Sequence, residues 1–233
     1  MSEIVIFGGT MEGRQKAEQL HAQGCDVIVS VTGEYARSLL PADIRCHMGV
    51  LNRQNMQAWL AGIRPRQVID ATHPYAVCAT ENIRECCAAL NIPYERVERP
   101  PQAASWRQDV QHVADTDAAA RALQRSEGPV LLTTGSHTLN LYTRLVDPSR
   151  IWARVLPTVE SLNLCAAAGI PASHIVAMQG PFSRPLNAAL YDQLGIRVVV
   201  TKDSGSPGGV EEKVIPALER EIYVIMIDRP KEA

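Results

Sequence analysis

Short β-branched runs alternate with amphipathic stretches along this chain, and the alternation continues from one end to the other. Residues 3–7 are a short β-branched run that stops at Gly8-Gly9. Residues 11–21 then set Gly13, Ala17 and Leu20 on one helical face, with Gly24 where a C-terminal cap belongs. The same reading predicts strands at 26–31, 44–48, 67–71 and 94–97. Helices are predicted at 52–60, stopped by Gly62 and Pro65, and at 74–90, with Pro74 at the first helical position. The composition shifts at Arg99-Pro100-Pro101-Gln102, and the pattern restarts. Beyond it, helices are predicted at 115–125, 159–168, 185–194 and 209–220, and strands at 130–133, 151–156, 175–179, 198–202 and 223–227.

Strands separated by helices of this length imply parallel sheets covered on both faces. The expected class is α/β, with two Rossmann-like lobes at 1–99 and 100–233 and a cleft between them.

Composition narrows the partners. Lys and Arg number 23 against 25 Asp and Glu, a formal net charge of −2, so no global field favours nucleic acid or a membrane surface. Aromatic residues make up 5% of the chain, too few to build stacking platforms for single-stranded nucleic acid. Cysteines stand at 25, 46, 78, 86, 87 and 165 without a C-x-x-C pair, so neither a zinc knuckle nor a disulfide framework is expected, and no metal site. Free thiols fit a reducing cytoplasm. The opening Met-Ser-Glu-Ile-Val-Ile-Phe carries an acid and enters a strand at once, which predicts no signal peptide. The longest stretch without Asp, Glu, Lys or Arg, 161–183, contains Asn163, Pro171, His174 and Gln179, which predicts no membrane span. The expected protein is a cytoplasmic monomer or weak homodimer.

In open α/β sheets, ligands bind beyond the carboxyl ends of the strands, so the residues there carry the chemistry. The first end reads Gly8-Gly9-Thr10-Met11-Glu12-Gly13, a strand-to-helix turn suited to a dinucleotide pyrophosphate, with Thr10 at the place of the second glycine of G-x-G-x-x-G. Thr10 could cap the helix or bond to phosphate. The second end, Val29-Ser30-Val31-Thr32-Gly33, has hydroxyls where an Asp or Glu would grip an unphosphorylated ribose, with Arg37 nearby. That leans towards NADP, although Glu34 pulls the other way. The fourth end, Asp70-Ala71-Thr72-His73-Pro74-Tyr75-Ala76, gathers titratable and aromatic groups. In the second half, Thr133-Thr134-Gly135-Ser136-His137, Gln179-Gly180-Pro181-Phe182-Ser183 and Thr201-Lys202-Asp203-Ser204-Gly205 follow strands in the same way. Lys202, directly after an apolar strand, either faces a cleft or snorkels out of it. A Tyr-x-x-x-Lys pair, a G-x-x-x-x-G-K-[ST] loop and a G-x-S-x-G elbow are all missing, which removes three common mechanisms.

These blocks, taken in order, resemble the precorrin-6A reductases of corrin-ring biosynthesis. The resemblance rests on Ile6-Phe7-Gly8-Gly9-Thr10-Met11-Glu12-Gly13-Arg14, the Asp70–Ala76 block, the Thr134-Gly135 turn, Arg154-Val155-Leu156-Pro157, the Gln179–Ser183 block and Thr201-Lys202-Asp203-Ser204-Gly205. Asp203 departs from the Asn expected more often in that family, and Ser206-Pro207 reads as a small insertion. The resemblance implies reduction of one carbon–carbon double bond of precorrin-6A, or of its cobalt form, by NADPH, with NADH possible. It implies Gly8, Gly9, Thr10 and Gly13 at the pyrophosphate, and Ser30 and Thr32 near the adenosine ribose. Thr134, Gly135 and Ser136 would meet cofactor or substrate. His73, Tyr75 and Lys202 are the catalytic candidates, one of which could donate the proton, as water also could. Arg14, Arg154, Lys213, Ser204 and Gly205 would bind the polycarboxylate tetrapyrrole, with Arg184 a weaker candidate. An S-adenosylmethionine-dependent tetrapyrrole methyltransferase and a non-catalytic NAD(P)-sensing regulator are the competing readings.

Overall fold

The computed structural model describes residues 3–98, 104–205 and 208–230. The segment Arg99-Pro100-Pro101-Gln102 and the pair Ser206-Pro207 therefore lie outside the described residues. The chain divides into two compact units, one ending at Arg99 and the next beginning at Pro100.

The N-terminal unit alternates β1 (Ile4–Phe7), α1 (Met11–Ala22), β2 (Val27–Val31), α2 (Glu34–Ser38), β3 (Arg45–Met48), α3 (Arg53–Ile63), β4 (Gln67–Asp70), α4 (Val77–Leu90) and β5 (Tyr94–Arg96). Its five strands are parallel in the order β3-β2-β1-β4-β5. Strand alternation feeds two cores. Ile4, Ile6, Val27, Val29 and Ile69 pack with Ala17 of α1 on one face, while Val5, Phe7, Ile28 and Val68 pack with Met56, Leu60 and Ile83 of α3 and α4 on the other. Each of the Val, Ile, Leu, Phe and Met side chains contributes about 1.5–3 kcal/mol on burial.

The C-terminal unit contains β6 (Gln111–Val113), α5 (Thr116–Leu123), β7 (Val130–Leu132), α6 (Leu139–Thr143), β8 (Ile151–Val155), α7 (Val159–Ala167), β9 (Ile175–Ala177), α8 (Arg184–Gln193), β10 (Val198–Lys202), α9 (Val210–Leu218) and β11 (Tyr223–Ile227). Its six strands are also parallel, in the order β6-β11-β10-β7-β8-β9. Leu131, Val199, Val224 and Met226 pack one face of this sheet against Val210, Val214 and Ala217 of α9 and against Tyr191 of α8.

Several elements depart from the sequence reading. Pro74 does not open a helix: residues 74–75 form a turn closed by the Ala76 N–H on the His73 carbonyl at 2.8 Å, and α4 begins at Val77. Gly62 does not stop α3, which runs to Ile63 and ends on Arg64 in the left-handed region at φ 52°. The short helices α2 and α6 and the edge strand β6 were not expected. Their sequences, five, five and three residues long, carry too few periods to stand out. Among the described residues, no helix is long and apolar enough to cross a membrane.

Candidate functional site

In the N-terminal unit, the strand order reverses at β1, which is flanked by β2 on one side and β4 on the other. That switch point sets the Gly8–Gly13 turn beside the residues that follow β4. The Ala71 N–H donates to the Phe7 carbonyl at 2.9 Å, and the Thr10 hydroxyl donates to the Ala71 carbonyl at 2.8 Å. The same hydroxyl accepts from the Gly13 N–H at 3.2 Å, so it is committed as a helix cap and turned into the fold. Of the two uses the sequence leaves open, capping is the one seen.

The glycines divide the labour. A Cβ on Gly8 would meet Val29 Cγ1 at 2.9 Å, and one on Gly13 would meet Ala71 Cβ and Gly8 Cα at 3.2 Å, so both permit close packing of turn, strand and helix. Gly9 has φ +105° and open space over its Cα. The N–H groups of Gly9, Thr10 and Met11 donate to nothing among the described residues. Open space above a left-handed glycine, bordered by unspent amides at the start of a twelve-residue helix, fits a pyrophosphate.

The Asp70–Ala76 block is more structural than its chemistry suggests. Asp70 is fully buried. It accepts from Arg96 Nη1 at 2.7 Å, from the Tyr94 hydroxyl at 3.1 Å and from the Thr72 N–H at 3.0 Å. It thereby ties the end of β4 to β5. His73 and Tyr75 lie together on the turn, with ring centroids 5.5 Å apart and the Tyr75 N–H donating to His73 Nδ1 at 3.3 Å. At the end of β2, the Ser30 hydroxyl bonds to His47 Nδ1 at 3.3 Å, and Thr32 is exposed. Arg37 donates to the carbonyls of Leu40, Pro41 and Ala42, so its guanidinium is spent locally and is not held out beside β2. Arg14 pairs with Glu18 across one turn of α1 at 3.8 Å, an ordinary surface pair that contributes little.

In the C-terminal unit, the switch lies between β7 and β10, which brings the Thr133–Ser136 turn beside the Thr201–Gly205 loop. The Thr133 N–H and hydroxyl both donate to the Val200 carbonyl, at 2.9 and 3.0 Å. Gly135 takes φ +87° with open space over its Cα, and the Ser136 hydroxyl donates to Ser161 Oγ at 3.3 Å. Lys202 is half-buried at the end of β10, and burial lowers its ammonium below the usual lysine range. Ser204 is buried and crowds Gly208, where a Cβ would come within 1.9 Å of Ser204 Oγ. Asp203 is engaged by Arg107 Nη2 at 2.9 Å, and Arg229 Nε donates to its carbonyl at 2.9 Å, so the carboxylate at this position anchors the loop. The Ser206-Pro207 pair lies outside the described residues.

Two buried cations near these loops stand apart. Arg154, on β8, is 7% exposed. Burial pulls its guanidinium down to about 10, which leaves it charged at neutral pH. Lys213, on α9, is also 7% exposed, and burial, with the Arg154 charge second, pulls its ammonium down to about 7. Neither forms an ion pair among the described residues. Glu212 acts on Lys213 only through space, and two mutually repelling buried cations outside any ion pair are costly unless an anion completes the site. Arg184, by contrast, faces Glu211 at 3.8 Å on the surface. Sequence reasoning missed Asn187, which is fully buried and accepts from Arg154 Nη1 at 2.7 Å. An Asn in an amphipathic helix carries no signal of such a role. Among the described residues, no group of His, Cys, Asp and Glu could hold a metal ion.

Two parallel doubly wound sheets, one with a glycine turn and free amides at its switch point and the other with Arg154 near the end of β8 and Lys213 on α9 outside any ion pair, define an α/β protein equipped for anionic ligands. The chain belongs to the family described as Precorrin-6x reductase CbiJ/CobK, which it matches over residues 3–233. It is 36% identical to the cobalt-precorrin-6A reductase of Priestia megaterium over 232 residues, covering 98% of this chain and 91% of that one. It is 37% identical to the cobalt-precorrin-6A reductase of Salmonella typhimurium, covering 98% of this chain and 88% of that one. Among solved structures it is similar to the precorrin-6A reductase CobK, with a TM-score of 0.78 and 26% identity over 100% of this chain and 90% of that one.

Proposed function

We propose that this chain is an NAD(P)H-dependent reductase that saturates one carbon–carbon double bond of precorrin-6A or cobalt-precorrin-6A, giving the dihydro, precorrin-6B type product in cobalamin biosynthesis. Family membership and the names of its relatives support the reaction. The observation in this chain that carries the reading is the pair Arg154 and Lys213, buried cations whose missing counter-charge a polycarboxylate tetrapyrrole supplies. A nicotinamide dinucleotide supplies the hydride when bound.

The chain's own residues bind, orient and protonate. Gly8, Gly9 and Gly13 shape the turn, and the amides of Gly9, Thr10 and Met11 hold the pyrophosphate. Ser30 and Thr32 stand where a ribose-gripping carboxylate would be, which favours NADPH, with NADH as a second donor. Thr134, Gly135 and Ser136, which follow β7 in the C-terminal unit, meet cofactor or substrate. Arg154 and Lys213 take substrate carboxylates, with Ser204, Gly205 and Arg14 as lesser contacts. The proton delivered to the carbon next to the hydride acceptor comes from Lys202, His73 or Tyr75, or from water. The protein works as a cytoplasmic monomer or weak homodimer, which light scattering after size exclusion would check.

The test is anaerobic incubation with precorrin-6A and, separately, cobalt-precorrin-6A, with NADPH or NADH. The expected result is loss of one conjugated double bond in the visible spectrum with stoichiometric nucleotide oxidation. Binding of S-adenosylmethionine in place of either nucleotide, or nucleotide binding without turnover of either substrate, would overturn the proposal.

A further inference from the structure

Arg154 is held in an unusual way. Its Nη1 donates to Asn187 Oδ1 at 2.7 Å, and its guanidinium carbon lies 4.2 Å from the centre of the Phe182 ring. Asn187 is itself fixed. Its amide nitrogen donates to the carbonyls of Phe182, at 3.2 Å, and Ser183, at 3.0 Å. With its protons on those carbonyls, the amide cannot turn over, and its oxygen must face the guanidinium. Ser183 caps α8 by accepting from the Leu186 N–H at 3.4 Å, so Phe182, Ser183 and the first turn of α8 form one hydrogen-bonded cradle.

The partners in that cradle are an amide oxygen and an aromatic face. Both orient a guanidinium, and neither carries a negative charge. The ordinary partner of a buried arginine is a carboxylate, which would hold it as firmly and cancel its field. We infer that Asn187 and Phe182 are positioning residues that set the site's selectivity for an anionic substrate, because they aim Arg154 without neutralising it. This rests on the reading of Arg154 as a contact to a substrate carboxylate. It gives Phe182 and Ser183 a role through Arg154.

The experiment measures KM and kcat for cobalt-precorrin-6A, the Kd for NADPH and the thermal midpoint in Arg154→Gln, Asn187→Ala, the double variant, Asn187→Asp and Phe182→Leu. Asn187→Ala is expected to raise KM about tenfold, the equivalent of one charge-assisted hydrogen bond, with kcat within about twofold and NADPH binding unchanged. In the Arg154→Gln background the same change is expected to add nothing. Asn187→Asp, which supplies the missing carboxylate, is expected to raise KM at least as much as Asn187→Ala. Phe182→Leu leaves the hydrogen bonds in place and is expected to raise KM about threefold, so the proposal stays testable if the Asn187 variants fold poorly. If Arg154→Gln leaves KM unchanged, the reading of Arg154 as a substrate contact fails. If Arg154→Gln raises KM but Asn187→Ala is silent or additive, or Asn187→Asp keeps the normal KM, only the inference about Asn187 and Phe182 fails.

Discussion

Asp70 in the N-terminal unit and Arg154 in the C-terminal unit are both buried charges near the end of a parallel strand, and they are treated in opposite ways. Asp70 is surrounded by Arg96, Tyr94 and Thr72, so its charge is consumed in joining two strands. Arg154 is held by an amide and a ring, so its charge remains available. The difference extends to each strand-end region. Around the N-terminal turn, Arg37 is engaged with carbonyls and Arg96 with Asp70, while the N–H groups of Gly9, Thr10 and Met11 donate to nothing among the described residues. The C-terminal unit also matches some charge, Asp203 with Arg107, but adds Arg154 and Lys213 outside any ion pair among the described residues. Backbone amides suit a diphosphate shared by all dinucleotides, whereas uncompensated side-chain cations suit carboxylates placed on one particular molecule.

Three substitutions would break or sharpen this contrast. The largest effect is expected from Asp70→Ala, which removes the fully buried carboxylate that Arg96, Tyr94 and the Thr72 N–H share and leaves those donors without it. It should cost about 3–5 kcal/mol in urea unfolding. A loss under ~1 kcal/mol would mean that Asp70 is not structural.

Lys213→Met should do the reverse. Its folded-state ammonium, at about 7, lies below the ordinary 10.5. Between those values the unfolded chain binds more protons than the folded one, so wild-type stability rises with pH across that window. The penalty of the buried charge is fully present below about pH 7, where Lys213→Met should be more stable than the wild type, and the gap should close towards pH 10. The variant's KM for the tetrapyrrole should rise about 10- to 100-fold at pH 7, since a charge-assisted contact is lost. In the wild type, KM should climb as pH passes about 7 and Lys213 loses its proton. A pH-independent KM with unchanged stability would remove Lys213 from the site.

The smallest effect is expected from Thr10→Val. Losing the cap should cost ~1 kcal/mol of stability. Because the hydroxyl faces Ala71 and Gly13, the Kd for NADPH should change by less than about threefold. A tenfold weakening in fluorescence titration would show that the hydroxyl reaches the phosphate.

Much of the fold is legible in the sequence because buried parallel strands need continuous apolar runs. Val198–Lys202 and Tyr223–Ile227 stand where the β-branched pattern puts them. The start of α4 was less legible, since Pro74 suits a turn as well as a first helical position, and only the His73–Ala76 hydrogen bond distinguishes them. At the site, the glycine turn was readable as a local motif, but the direction of the Thr10 hydroxyl was not. Its acceptor, Ala71, lies 61 residues away.

By itself, then, the sequence determined the alternation of elements, the parallel sheets and the residues that collect at the strand ends, because each follows from local periodicity and turn chemistry. Which of those charges is spent and which is kept was decided by tertiary structure alone. Asp70 meets Arg96 only when β4 pairs with β5, and Arg154 meets Asn187 only when α8 packs near β8. Whether a charge is compensated depends on neighbours distant in the chain, and on burial that strengthens every charge left without a partner.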